Sequence, residues 1–173
     1  MQTNTRKIAQ AVILVAIGVA LSPFTSFPIG IAKVNPTQHF VNVVGAILLG
    51  PWWAMANAAI IGVIRNALGV GTLLAFPGGM IGAFLAGYAY RFTRNIYAGA
   101  LGEVIGTGII AALVSGWLVA PVFMQQTMAI GVLIASFLGS TLLGSVLGVL
   151  ALKLLEQMGY VELKKKGEQP AQI

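Results

Sequence analysis

His39 and Asn42 stand three residues apart, and Gln38 and Asn42 stand four apart. On an α-helix these spacings put all three side chains on one face. They crowd the mouth of an apolar run that begins near Phe40, in the stretch Asn35-Pro36-Thr37-Gln38-His39, and His39 is the only histidine in the chain. Pro36 suits the first position of a helix, where its missing N–H has no intrahelical partner to lose. A helix that starts there carries one imidazole and two amides through its first two turns. Such groups donate and accept hydrogen bonds without a fixed charge, which is the chemistry of a small-molecule pocket wall. A solvated helix end is the plainer reading. It does not account for Asn42, which continues the polar face into the apolar run.

A second candidate group is Glu103, the only acid inside an apolar segment, with Thr107 one helical turn further along the same face. An acid in such a place usually faces a cavity or a partner. A structural hydrogen bond, contact with a ligand and proton coupling all remain open for it. Catalysis is poorly supplied. The chain has no aspartate and no cysteine, and no HExxH, GxSxG or Walker A pattern. One histidine and one intramembrane acid give neither a metal-ligand set nor a two-carboxylate arrangement. The expectation is no enzyme, no metal and no cofactor.

The elements that must position these residues are membrane helices. Of 173 residues, 58% are hydrophobic and 8% charged, where a soluble domain carries about 25% charged residues. The mean hydropathy is +0.91. This is the composition of a multi-pass integral membrane protein. The net charge of +6 is read as a topology signal and not as a nucleic-acid footprint. Apolar segments run over 8–27, 36–64, 73–90, 96–122 and 128–155. Gly50-Pro51-Trp52-Trp53 interrupts the second, because proline removes a helical hydrogen bond and tryptophans favour the membrane interface. Splitting it gives 36–49 and 51–64, so the fold expected is all-α with six transmembrane helices.

With six spans, Arg6, Lys7, Arg91, Arg94, Lys153, Lys164, Lys165 and Lys166 share the side of both termini, and only Lys33 and Arg65 lie opposite. The positive-inside rule makes that shared side cytoplasmic. Trp52, Trp53, Tyr88, Tyr90, Phe92 and Tyr97 then fall near the cytoplasmic interface, while His39 and its neighbours lie near the outer surface. Residues 65–72, with Asn66 and Thr72 among their glycines, form a pliable outer connector and a candidate lid. Lys33 and Arg65 read as interfacial anchors. The chain is expected to form one transmembrane domain over 1–160, followed by a polar, flexible cytoplasmic tail over 161–173.

Small residues mark helix contacts in a membrane, where lipid supplies no hydrophobic drive for association. Ser136, Ser140, Gly144 and Gly148 form an every-fourth ridge in the last helix, and Gly99, Gly102, Gly106 and Gly108 mark the fifth. Both are read as packing within the chain. The first helix carries Ala16-Ile17-Gly18-Val19-Ala20, an A-x-x-x-A pattern.

Three stretches, VNPTQHFVNVVGAILLGPWWA, RNALGVGTLLAFPGGMIGAFLAG and ALGEVIGTGI, resemble in order and spacing the ThiW family, the thiazole-specific S-components of energy-coupling factor (ECF) vitamin transporters. The similarity covers about residues 8 to 157. It implies the substrate 4-methyl-5-(2-hydroxyethyl)thiazole, a thiamin precursor, and uptake across the cell membrane. It also implies a transmembrane coupling protein and two cytoplasmic ATPases as partners, with Ala16 and Ala20 as the docking face. The polar groups expected around the ligand are then His39, Asn42, Gln38, Asn66 and Thr72, with Glu103 and Thr107 deeper. A pyrimidine or thiamin S-component and a self-sufficient secondary transporter stay open as alternatives.

Overall fold

The computed structural model describes residues 2–163; Lys164, Lys165, Lys166 and the remainder of the tail lie outside the described residues. Six helices dominate: α1 (Gln2–Thr25), α2 (Pro36–Leu48), α3 (Pro51–Ala67), α4 (Ala75–Thr93), α5 (Ile96–Phe123) and α6 (Ile130–Gln157). Among them α1, α5 and α6 are long and apolar enough to cross a membrane by length and composition. The expected break at Gly50-Pro51 is present. Gly50 has φ +96°, which a side-chain-bearing residue rarely adopts, and Pro51 opens α3. At 13 residues, α2 spans roughly 20 Å, short of the ~30 Å hydrocarbon core. It is lined with other helices, and ten of its residues are buried.

Two elements were not expected. Phe27–Ile29 (β1) and Ala32–Val34 (β2) form an antiparallel hairpin in the register Phe27↔Val34 and Ile29↔Ala32, with Gly30 in the turn at φ +58°. The first helix therefore stops at Thr25 and not at Phe27. Helix α5 is not uniformly α-helical: Gly106–Ala111 and Ser115–Phe123, which contains Pro121, are π-helical. Wide turns of this kind are rare and concentrate at functional sites.

The glycine ridges pack within the chain, as expected. A Cβ on Gly144 would lie 2.3 Å from the Pro36 carbonyl oxygen and 2.6 Å from His39 Cβ, so α6 closes directly on the first turn of α2. Gly102 and Gly106 bring α5 equally close to the backbone of α4 at Leu85 and Gly82. Such approaches replace hydrophobic drive by van der Waals contact. On α1, Gly18 is buried against Ile61, whereas Ala16 and Ala20 are exposed. A large apolar cluster of Leu14, Val41, Val44, Ile47, Ile61 and Leu152 fills one end of the bundle, and Val34, Leu74, Leu133 and Phe137 form a second at the other. Tyr90 belongs to the first cluster and is only 7% exposed, so it is a core residue and not an interfacial one. Trp52, Phe92 and Tyr97 are exposed at the same end, as an aromatic belt requires.

Candidate functional site

The polar residues at the start of α2 divide into two groups. Asn35 and Thr37 serve the fold. Asn35 is the N-cap: its Oδ1 accepts from the Gln38 N–H at 3.0 Å, and its Nδ2 donates to Ser22 Oγ and Ser26 Oγ at 2.9 and 2.8 Å. Thr37 donates to Thr25 Oγ1 at 3.0 Å. These bonds satisfy the free N–H groups of the helix start and tie it to the end of α1.

Gln38, His39 and Asn42 point inward on their shared face; His39 and Asn42 meet Glu103, and Gln38 joins it through Asn42. The Glu103 side chain is fully buried at 0% exposure. Its Oε1 lies 2.8 Å from His39 Nδ1, 2.9 Å from Asn42 Nδ2 and 3.0 Å from Thr107 Oγ1. Asn42 Nδ2 also donates to the Gly79 carbonyl, and Asn42 Oδ1 accepts from Gln38 Nε2 at 3.1 Å. Thr107 Oγ1 lies 2.7 Å from the Gly78 carbonyl oxygen. One network thus joins α2, α4 and α5. Gly82 makes room for it: a Cβ there would stand 2.1 Å from Thr107 Oγ1 and 2.6 Å from Glu103 Oε2. Its neighbours supply hydrogen-bonding groups to Oε1, which lowers the cost of burying the acid, while Oε2 has no hydrogen-bond partner among the described residues.

The network sets the chemistry of His39. His39 Nδ1 and Glu103 Oε1 share one hydrogen bond, which commits one ring nitrogen and leaves Nε2 to donate or to accept according to the tautomer. His39 borders a cavity of about 360 Å³, including its open mouth, lined also by Lys33, Val34, Gln38, Arg65, Leu74, Gly78, Gly79, Thr107, Phe137 and Ser140. About 30 Å³ of it is open to the centre of a water molecule, so a ring-sized ligand requires its walls to part. Gln38 Oε1 and Ser140 Oγ are buried with no hydrogen-bond partner among the described residues. Ala32, Lys33 and Val34 of β2 form one side, and the side chain of Lys33 donates to the Gly69 carbonyl, joining the hairpin to the α3–α4 loop.

Of the expected ligand contacts, Gln38, His39 and Thr107 are on the cavity lining. Asn42 and Glu103 stand behind them and hold them in place. Asn66 and Thr72 are off the lining: Asn66 Nδ2 donates to the Gly62 and Thr72 carbonyls at 2.8 and 3.1 Å and shapes the connecting loop. Lys33 and Arg65 do not act as simple interfacial anchors. Both line the cavity, and Arg65 is 2% exposed. Phe137 and Ser140 were read only as parts of the last helix or its ridge, yet they complete the cavity wall. No group of three or more metal-ligating side chains occurs among the described residues.

The architecture has a known counterpart. The S component of a bacterial ECF transporter matches with a TM-score of 0.65 at 15% identity, over 91% of this chain and 99% of that one. Among curated proteins, none matches. The family model described as thiamine-precursor transporter protein (ThiW) matches residues 8–158. The chain is therefore an integral membrane transport protein and not an enzyme: it belongs to the ThiW thiamine-precursor transporter family.

Proposed function

We propose that this chain is the substrate-binding subunit of an ATP-driven ECF importer, and that its ligand is 4-methyl-5-(2-hydroxyethyl)thiazole. The observation that carries the reading is the cavity. Apolar Val34, Leu74 and Phe137 surround a few polar groups from Gln38, His39 and Thr107. A small neutral heteroaromatic ring with one hydroxyl needs an apolar box and a few placed hydrogen-bonding groups. The buried Glu103 network preorganises those groups, so less order is lost when the ligand arrives.

The subunit sits in the cell membrane with both termini cytoplasmic, and the cavity faces out. Arg6, Lys7, Arg91 and Arg94 gather at the end of the bundle opposite the cavity, which is the charge bias of a cytoplasmic face. The transmembrane coupling protein and its two cytoplasmic ATPases dock through α1. There the exposed small side chains of Ala16 and Ala20 allow a partner helix to approach closely.

Two measurements test this. Titration of the thiazole alcohol into the purified chain should give saturable binding that a pyrimidine precursor and thiamin do not match. Affinity purification from membranes should recover two ATPases and one membrane protein. Recovery of the chain alone, together with uptake that persists without ATP, would identify a self-sufficient transporter instead. Orientation is open to a direct check because the chain has no cysteine. A thiol label should reach Lys33→Cys from outside and Arg94→Cys only after permeabilisation.

A further inference from the structure

The cavity contains a buried charge that the protein leaves unbalanced. Arg65 closes the last turn of α3 and is 2% exposed, yet it lines the cavity. Its Nη2 reaches Ser26 Oγ at 3.3 Å and the Val70 carbonyl oxygen at 3.4 Å, both long for hydrogen bonds, and its Nε is buried with no partner among the described residues. The acid of the site, Glu103, is absent from the lining; its Oε1 meets His39, Asn42 and Thr107, and its Oε2 has no hydrogen-bond partner among the described residues. The other lining cation, Lys33, donates to a backbone carbonyl. A guanidinium has five N–H donors and always carries its charge. Burying it without a carboxylate is unfavourable, so an arginine kept only for structure would be expected to have better partners.

Acceptors stand on the same lining. Gln38 Oε1 and Ser140 Oγ are buried with no hydrogen-bond partner among the described residues. One wall therefore offers unspent donors and the other unspent acceptors. The group that uses both is a hydroxyl, whose oxygen accepts while its hydrogen is donated. A thiazole ring nitrogen only accepts.

We propose that Arg65 is a specificity-determining residue of this site, donating to the hydroxyl oxygen of the ligand; the assignment rests on the thiazole-alcohol reading above. It makes the site selective for the hydroxyethyl arm and leaves the ring to the apolar walls.

The test compares the thiazole alcohol with 4-methyl-5-ethylthiazole, which lacks only the hydroxyl, by titration into the purified full chain. The parent should prefer the alcohol by at least about tenfold, the loss expected when a buried donor is left unpaired. In Arg65→Met, which keeps an apolar stem and removes every donor, the preference should fall to roughly threefold or less. Binding of the ethyl compound should stay within about twofold, and Arg65→Lys should recover part of the preference. An unchanged preference in a folded Arg65→Met protein overturns the proposal. Thermal unfolding without ligand supplies a readout independent of the thiazole. A midpoint for Arg65→Met at or above the parent's is expected, because an unbalanced buried charge has been removed. A clearly lower midpoint would make Arg65 a structural residue and overturn the proposal. If neither thiazole binds the parent, the substrate reading fails on its own, and the unfolding comparison then decides the role of Arg65.

Discussion

The two ends of the helical bundle are built on opposite plans. At one end the hairpin, the first turn of α2 and the α3–α4 loop converge on a narrow cavity, with buried Asn35, Gln38, His39 and Arg65 around it. At the other, a wide cleft of about 1960 Å³, including its open mouth, lies between Arg6, Lys7, Trp52, Arg91, Arg94 and Tyr160. Its cations are exposed, and the first three residues of the expected tail, Val161, Glu162 and Leu163, help to line it. Leu163 packs against the apolar cluster at that end. Polar groups in the narrow cavity are desolvated, so each has a large effect on what can enter. Those in the wide cleft stay hydrated and serve topology more than recognition. Substitutions at the two ends should therefore have very different consequences.

The sharpest separation should come from α1. A tryptophan at Ala16 or Ala20 is expected to abolish uptake by overpacking the proposed docking face, while ligand binding to the purified chain persists. Loss of both together would show that this face packs inside the subunit. Gly82→Ala comes next. A methyl group at 2.1 Å from Thr107 Oγ1 must displace the Glu103 network, at a cost of about 1–3 kcal/mol in stability and with loss of ligand binding. A thermal-unfolding and titration pair checks both effects, and a folded variant that binds normally would contradict the supporting role given to Glu103.

His39→Ala removes one hydrogen-bonding group from the cavity wall. The expected loss is about 1–3 kcal/mol, or roughly tenfold to a hundredfold in affinity. Parent-like binding by the folded variant would reduce His39 to a structural partner of Glu103. The smallest effect belongs to the opposite end. Replacing Arg91 or Arg94 by glutamine should leave ligand affinity within about twofold and stability within about 0.5 kcal/mol. A larger shift in affinity would mean that the two ends are coupled.

Much of this was legible in residue order. The Gly50-Pro51 break follows from proline's missing donor. The convergence of Gln38, His39 and Asn42 follows from helical spacing, and the ridges at Gly102 and Gly144 follow from the need of membrane helices for close contact. The hairpin was harder to see, because three-residue strands carry little periodic signal. It lies between the apolar segment that ends at Phe27 and the helix start at Pro36. The π-helical turns of α5 had no signature apart from Pro121.

What the sequence determined by itself was a membrane bundle of six helices and a polar face at one helix start, because composition and local spacing are properties of the chain alone. What the tertiary structure decided was which polar groups face the cavity. Asn66 turns to its own loop and Thr72 lies off the lining, Asn42 and Glu103 stand behind the wall, and Arg65 and Lys33 come inside it. The reason is physical: what surrounds a buried polar side chain, and whether its hydrogen bonds are met, depends on helices far apart in sequence. His39 and Glu103 are 64 residues apart, and only the packing of α2 against α5 makes them partners.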